Sequence, residues 1–180
     1  MKKTILSLAL VLATGLLFAQ KKTTTSATIS FDATTPLDAL PKADNKTVIA
    51  SLDTKTGKIA FEAAIKSFTF GNPKIQEHFN GANWMNSDEF TAATFAGTIT
   101  NLKDVKFNKD GAYEVTVTGD LTIHGVTKAA EAKGTITVSG KSVKATSELS
   151  IKLEDYGVKG GAITAGKVSK EPKITVVAEF

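Results

Sequence analysis

Apolar residues alternate with polar ones through most of this chain. That predicts an all-β protein: eight antiparallel strands with a short helical insert between strands. Three observations carry the prediction. Apolar residues recur at every second position in eight separate segments. Turn-like glycine pairs join several of them, which makes sequence neighbours pair antiparallel. No helical pattern is long enough to cover a one-faced sheet of that width, so the sheet must close on itself or fold over.

The segments follow in order. Ala27, Ile29 and Phe31 form the first, behind a polar stretch, 21–26, whose start is expected to fray. Val48, Ala50 and Leu52 form the second, and Ile59, Phe61, Ala63 and Ile65 the third. The apolar phase then slips to Phe68 and Phe70, which implies a bulge or a strand end. Alternation stops over 72–90, where Pro73 suits a helix start and Ile75, Phe79, Trp84 and Met85 suit one or two short amphipathic helices. Phe95, Gly97 and Ile99 resume the pattern. The clearest strand carries Tyr113, Val115, Val117, Gly119, Leu121 and Ile123 on one face, with Glu114, Thr116, Thr118, Asp120 and Thr122 on the other. Ala130 to Val138, Val143 to Leu153 and Ile174 to Phe180 supply the last three segments. Between the last two, 155–170 holds four glycines and reads as a mobile rim, not a packed element.

The chain has 180 residues, room for one domain. Residues 1–19 read as a secretory signal peptide. Lys2 and Lys3 precede an apolar run over 5–18, and small Ala19 stands before the expected cut at Gln20. That run is short of the ~20 residues a membrane span needs. The expected mature domain, 20–180, has no second run of that length, so a periplasmic or secreted protein without an integral membrane segment is expected. Without Lys2 and Lys3 the balance is 20 lysines against 18 acids, and the signs are interspersed, so nucleic acid is not an expected partner.

The chemistry available is narrow. There is no cysteine, which excludes disulfides, thiol catalysis and thiolate metal sites. All basic residues are lysines; the missing arginine removes the usual bidentate anion clamp. His78 and His124 have no third ligand at metal spacing. No G-x-S-x-G elbow exists, and the glycine loop lacks Walker spacing. The expectation is a non-enzymatic protein with neither cofactor nor metal.

Two stretches resemble a known family. Gly119-Asp120-Leu121-Thr122-Ile123-His124-Gly125-Val126-Thr127-Lys128 resembles the hairpin motif of the YceI-like family. Ile75 to Phe79, Trp84 to Phe90 and Ala93 to Phe95 resemble its helical insert and following strand, and Asp155-Tyr156-Gly157-Val158 also fits. The resemblance implies a lipocalin-like barrel exported to the periplasm that binds polyisoprenoids, such as isoprenoid quinones or prenyl phosphates.

The residues are consistent with that implication. Phe68, Phe70, Phe79, Trp84, Met85, Phe90 and Phe95 form an aromatic cluster, either a plug filling one barrel end or the lid and wall of an apolar site. Small inward residues, among them Ala50, Ala63, Gly97, Gly119, Ala130, Ala132, Gly134, Ala145 and Ala178, are expected to leave volume unfilled. The candidate ligand-binding set is Phe61, Ile65, Phe68, Phe70, Phe79, Trp84, Met85, Phe95, Gly97, Ile99, Leu121, Ile123 and Ala132, with the ligand entering beside the insert. The main alternative is a structural or stress-related barrel with a dry core. An outer-membrane barrel is disfavoured, because Tyr and Trp together number three, too few for aromatic girdles.

Overall fold

The computed structural model describes residues 20–180, so the expected signal peptide lies outside the described residues. The elements are β1 (Lys21–Asp32), β2 (Lys42–Asp53), β3 (Lys58–Ala64), β4 (Thr69–Phe70), α1 (Pro73–Asn80), β5 (Ala92–Ile99), β6 (Gly111–Ile123), β7 (Val126–Ser139), β8 (Ser142–Ser150), α2 (Gly161–Thr164) and β9 (Lys173–Glu179). Eight strands run in the order β1-β9-β8-β7-β6-β5-β3-β2, and β1 pairs again with β2. The sheet is thus a closed antiparallel barrel, as the resemblance implies. The two-residue β4 is an extra strand on the edge of β2, pairing Ala43 with Phe70.

Local chemistry sets the turns. Between β2 and β3, the Asp53 carboxylate accepts from the backbone N–H groups of Lys55 and Thr56. Those two hydrogen bonds lower the pKa of its carboxyl below the usual aspartate value. Between β6 and β7, His124 and Gly125 both have positive φ, 51° and 74°. That is the signature of a two-residue type I′ hairpin, whose twist matches the flanking strands.

Both ends of the β1–β2 pair and the glycine-rich loop depart from the sequence reading. Residues 21–26 do not fray: β1 starts at Lys21, whose partner is Asp53 at the far end of β2. This half-strand shows no apolar alternation, and cross-strand pairing holds it instead. β2 also starts earlier than its apolar run, at Lys42, because its phase flips. Ala43 and Asn45 point inward at odd positions, Val48, Ala50 and Leu52 at even ones, and the β1–β2 register shifts between them. Asn45 fills the bulge. It is fully buried, donates to the Ala64 carbonyl at 3.0 Å and accepts from the Thr47 N–H and hydroxyl. Finally, the glycine-rich loop is packed. Leu153, Tyr156, Val158 and Val168 are buried, and α2 interrupts the loop.

Two inward glycines face each other where β5 meets β6. A Cβ at Gly119 would lie 2.3 Å from the Ala96 carbonyl oxygen, and one at Gly97 2.6 Å from that of Thr118. Here glycine permits close backbone approach. It does not leave a void, which corrects the expectation that Gly97 and Gly119 supply free volume. Gly119→Ala should therefore destabilise by about 1–3 kcal/mol, as overpacking against backbone does. Gly71→Ala, with nothing within 4 Å of the new methyl, should be neutral or slightly stabilising in urea unfolding. Equal midpoints for the two variants would contradict the close approach.

Candidate functional site

All strands point their apolar phase into the barrel, but the interior is not packed uniformly. One buried cluster fills the end that carries the insert, with Phe31, Ile65, Phe68, Phe70, Phe79, Met85, Leu153 and Tyr156. A second fills the opposite end, with Leu52, Ile59, Ile99, Val105, Val115, Ile136 and Val138. Between them lies a cavity of about 180 Å³. That is more than ten times the roughly 10–15 Å³ that one water needs. Its lining is aliphatic and aromatic apart from Thr94, Thr135, Thr146 and Ser147, and no charged side chain reaches it.

The insert end is built by short-range rules. Asn72 caps α1 by accepting from the Lys74 N–H at 2.9 Å, and Pro73 occupies the first turn, where its missing donor costs nothing. The amphipathic helix then buries Phe79. The Phe79 ring lies 4.9 Å from Phe70, 5.9 Å from Phe68, 6.0 Å from Phe31 and 5.6 Å from Trp84, in tilted or edge-on contacts that aromatic quadrupoles favour.

Most of the sequence-derived set meets at the cavity. Phe61, Ile65, Phe68, Phe79, Met85, Phe95, Ile99, Leu121, Ile123 and Ala132 all line it. Three members do not. Phe70 packs edge-on against Phe31 and tilted on Phe79, within the plug. Trp84 packs on Phe79 from behind. Gly97 is covered by the Phe95 ring, which lies 2.6 Å from where its Cβ would be. Sequence reasoning left out Ile29 of β1, Leu149 of β8, Ile151 just beyond it, and Ile174 and Val176 of β9. The signal for them was present, since all lie in the apolar phase of their segments.

His124 is a turn residue. Its ring packs on Phe90 at 4.4 Å, and Nδ1 lies 3.3 Å from the Tyr156 carbonyl. Burial, helped by the Asp155 charge, raises the pKa of the Tyr156 phenol. Among the described residues, no three His, Asp or Glu side chains gather as metal ligands, and no helix is long and apolar enough to cross a membrane.

This arrangement, an apolar hollow between two plugs in an eight-stranded barrel, defines a lipocalin-like protein. The YceI-like domain model matches residues 18–180, and the chain belongs to that family. Protein YceI of Shigella flexneri is 35% identical over 109 residues, covering 57% of this chain and 51% of that protein. A UPF0312 protein of Pseudomonas fluorescens is 28% identical over 112 residues, 59% of this chain and 55% of that one. The chain thus spans about half the length of the curated relatives it matches. Among solved structures, a polyisoprenoid binding domain from Saccharophagus degradans implicated in plant cell wall breakdown has a TM-score of 0.74 at 14% identity, covering 89% of this chain and 97% of that one. BcnA of Burkholderia cenocepacia has a TM-score of 0.70 at 19% identity, covering 86% and 96%. These likenesses establish the fold.

The hollow sets the cost of truncation. Leu52 is 0% exposed within a packed end, so Leu52→Ala should cost ~2–5 kcal/mol. Leu121 already borders empty space, so Leu121→Ala should fall at or below the low end of that range. Thr122 points outward to a 2.7 Å hydrogen bond with Thr127, and Thr122→Ala should cost less than either. Urea titrations of the three variants would test this ranking; a larger loss at Leu121 than at Leu52 would show that the hollow is filled.

Proposed function

We propose that this protein is a non-enzymatic lipid carrier that holds one long apolar molecule, a polyisoprenoid or isoprenoid quinone, in the barrel lumen. The observation that carries this reading is the cavity: apolar, charge-free and left open by a fold whose strand number permits complete filling. Each buried CH₂ is worth about 0.8 kcal/mol, so each five-carbon isoprene unit contributes roughly 3–4 kcal/mol before ordering costs. Met85, flexible and polarisable at the cavity wall, suits a methyl-studded chain. The similarity to a polyisoprenoid binding domain supports the same class of ligand. The charge-free lining and the lack of arginine favour a neutral head such as a quinone over a diphosphate. Export to the periplasm or medium completes the reading, on the strength of the 1–19 signal pattern.

Two measurements test this proposal. Mass spectrometry of an organic extract of the native protein should find a bound lipid. Ala132→Phe should remove it while the far-ultraviolet spectrum and cooperative unfolding persist, since Ala132 lines the cavity wall. Gly97→Phe is unsuitable, because Phe95 and the Thr118 carbonyl already occupy that space. A lipid-free extract, with Trp84 fluorescence unmoved by quinones or prenyl phosphates, would favour the dry barrel. Amino-terminal sequencing of the exported protein should read from Gln20; an intact Met1 there would refute the cleavage.

A further inference from the structure

The barrel wall is not paired along its whole height. β7 pairs with β6 without a register break, from Gly111↔Val138 to Ile123↔Val126. With β8 it pairs only from Gly134↔Ser147 to Ser139↔Ser142. Residues 126–133 of β7 and 148–150 of β8 therefore flank an unpaired seam. Gly134 is its vertex. A Cβ there would lie 2.5 Å from the Thr146 carbonyl oxygen, so β8 approaches closely at this point, and the pairing ends beyond it. The Ser147 hydroxyl donates to the Lys133 carbonyl at 2.7 Å and stitches the base of the seam.

The seam borders the cavity. Ala130, Ala132 and Gly134 on one edge, and Ser147, Leu149 and Ile151 on the other, all line it. Elsewhere, 21–27 of β1 pair with β2 but lack ladder partners toward β9 and contribute no lining residue; 111–116 of β6 lack them toward β5, and their lining residue, Val115, is buried in the packed end opposite the insert. Since the Lys133 carbonyl points across the seam, the period-2 geometry of a strand directs the backbone groups of Glu131 and Ala129 the same way. The seam thus combines small apolar side chains on its inner side with unladdered backbone polar groups at its lip.

We propose that the seam between β7 and β8 is a side portal through which a single-chain apolar lipid enters the lumen, its polar end resting at the hydrogen-bonding lip. This inference rests on the lipid-binding reading above. Relative costs favour the seam over the insert end. Its upper part is spanned by the Lys128–Asp155 ion pair, 3.3 Å long with both side chains nearly half exposed (44% and 45%), and by the 3.3 Å approach of His124 to the Tyr156 carbonyl. An exposed pair of this kind, screened by solvent, holds only weakly. Access beside the insert requires parting Phe31, Phe68, Phe70 and Phe79, four buried aromatics packed on one another, and exposing their apolar surface.

The chain has no cysteine, so single introduced cysteines report cleanly. Glu131→Cys places a thiol at the seam lip, and Glu77→Cys places one on the exposed face of α1. Each variant is coupled to a poly(ethylene glycol) maleimide. Uptake and release of a short-chain isoprenoid quinone are then followed by quenching of Trp84, which packs on the cavity-lining Phe79. The polymer at position 131 should slow uptake and release alike, by about tenfold or more, with equilibrium affinity unchanged, as a gate does. The polymer at position 77 should change neither rate. In a second set, Lys128→Glu should speed both rates by opposing Asp155, and adding Asp155→Lys should restore them. Unchanged rates at position 131, or slowing at position 77 alone, would overturn the portal, as would a Lys128→Glu variant with wild-type rates. If the unlabelled protein shows no saturable quenching, the lipid-binding reading fails, and the portal fails with it.

Discussion

Closure of the sheet through β1 is the constraint on which the rest of this molecule depends. β1 pairs with β2 along nearly its full length and with β9 over Thr28–Asp32, so one strand joins the two ends of a meander. Without it the apolar faces of the other strands would meet solvent, because α1 and α2 are too short to cover them. Once eight strands close, the width of the interior is set, and it suits either a filled core or a single small ligand. The side chains then decide which.

Here they decide differently along the barrel axis. Branched aliphatics fill the end opposite the insert, and four phenylalanines with Met85 fill the insert end. Alanines at 63, 130, 132 and 145 line the hollow between them. The glycines do other work. Gly97 and Gly119 bring β5 and β6 backbones together, and Gly134 admits the Thr146 carbonyl where β7 and β8 stop pairing. Small residues of two kinds thus make the hollow: alanines that leave space and glycines that shape its wall.

The insert and the loop after β8 are joined through the β6–β7 turn. Phe90 packs on His124, Gly125 leaves room for the Phe90 ring, and His124 meets the Tyr156 carbonyl. A Cβ on Gly125 would come within 2.6 Å of Phe90, so glycine here serves both the type I′ turn and the packing against the insert. This explains physically why a short hairpin motif is so visible in the sequence: one dipeptide meets two separate steric demands.

The sequence by itself determined the alternating strands, the antiparallel order, the helical insert behind Pro73 and most of the residues that face the cavity, because side-chain direction in a strand follows period 2. Phe61, Leu121, Ile123 and Ala132 could be placed inside from that rule alone. It did not determine the pairing of the polar half of β1, since Lys21 to Thr24 are held by cross-strand partners at the far end of β2. Nor did it reveal the phase flip at Asn45, whose hydrogen bond to the Ala64 carbonyl exists only once β3 lies alongside β2. The glycine-rich loop looked mobile because its apolar residues are scattered, yet they pack into the insert end. Whether an inward small residue opens space or is covered, as Gly97 is by Phe95, depends on the neighbouring ring and strand. Where β8 stops pairing with β7 was likewise decided in three dimensions, because alternation fixes which face a residue takes but not how far two strands remain side by side.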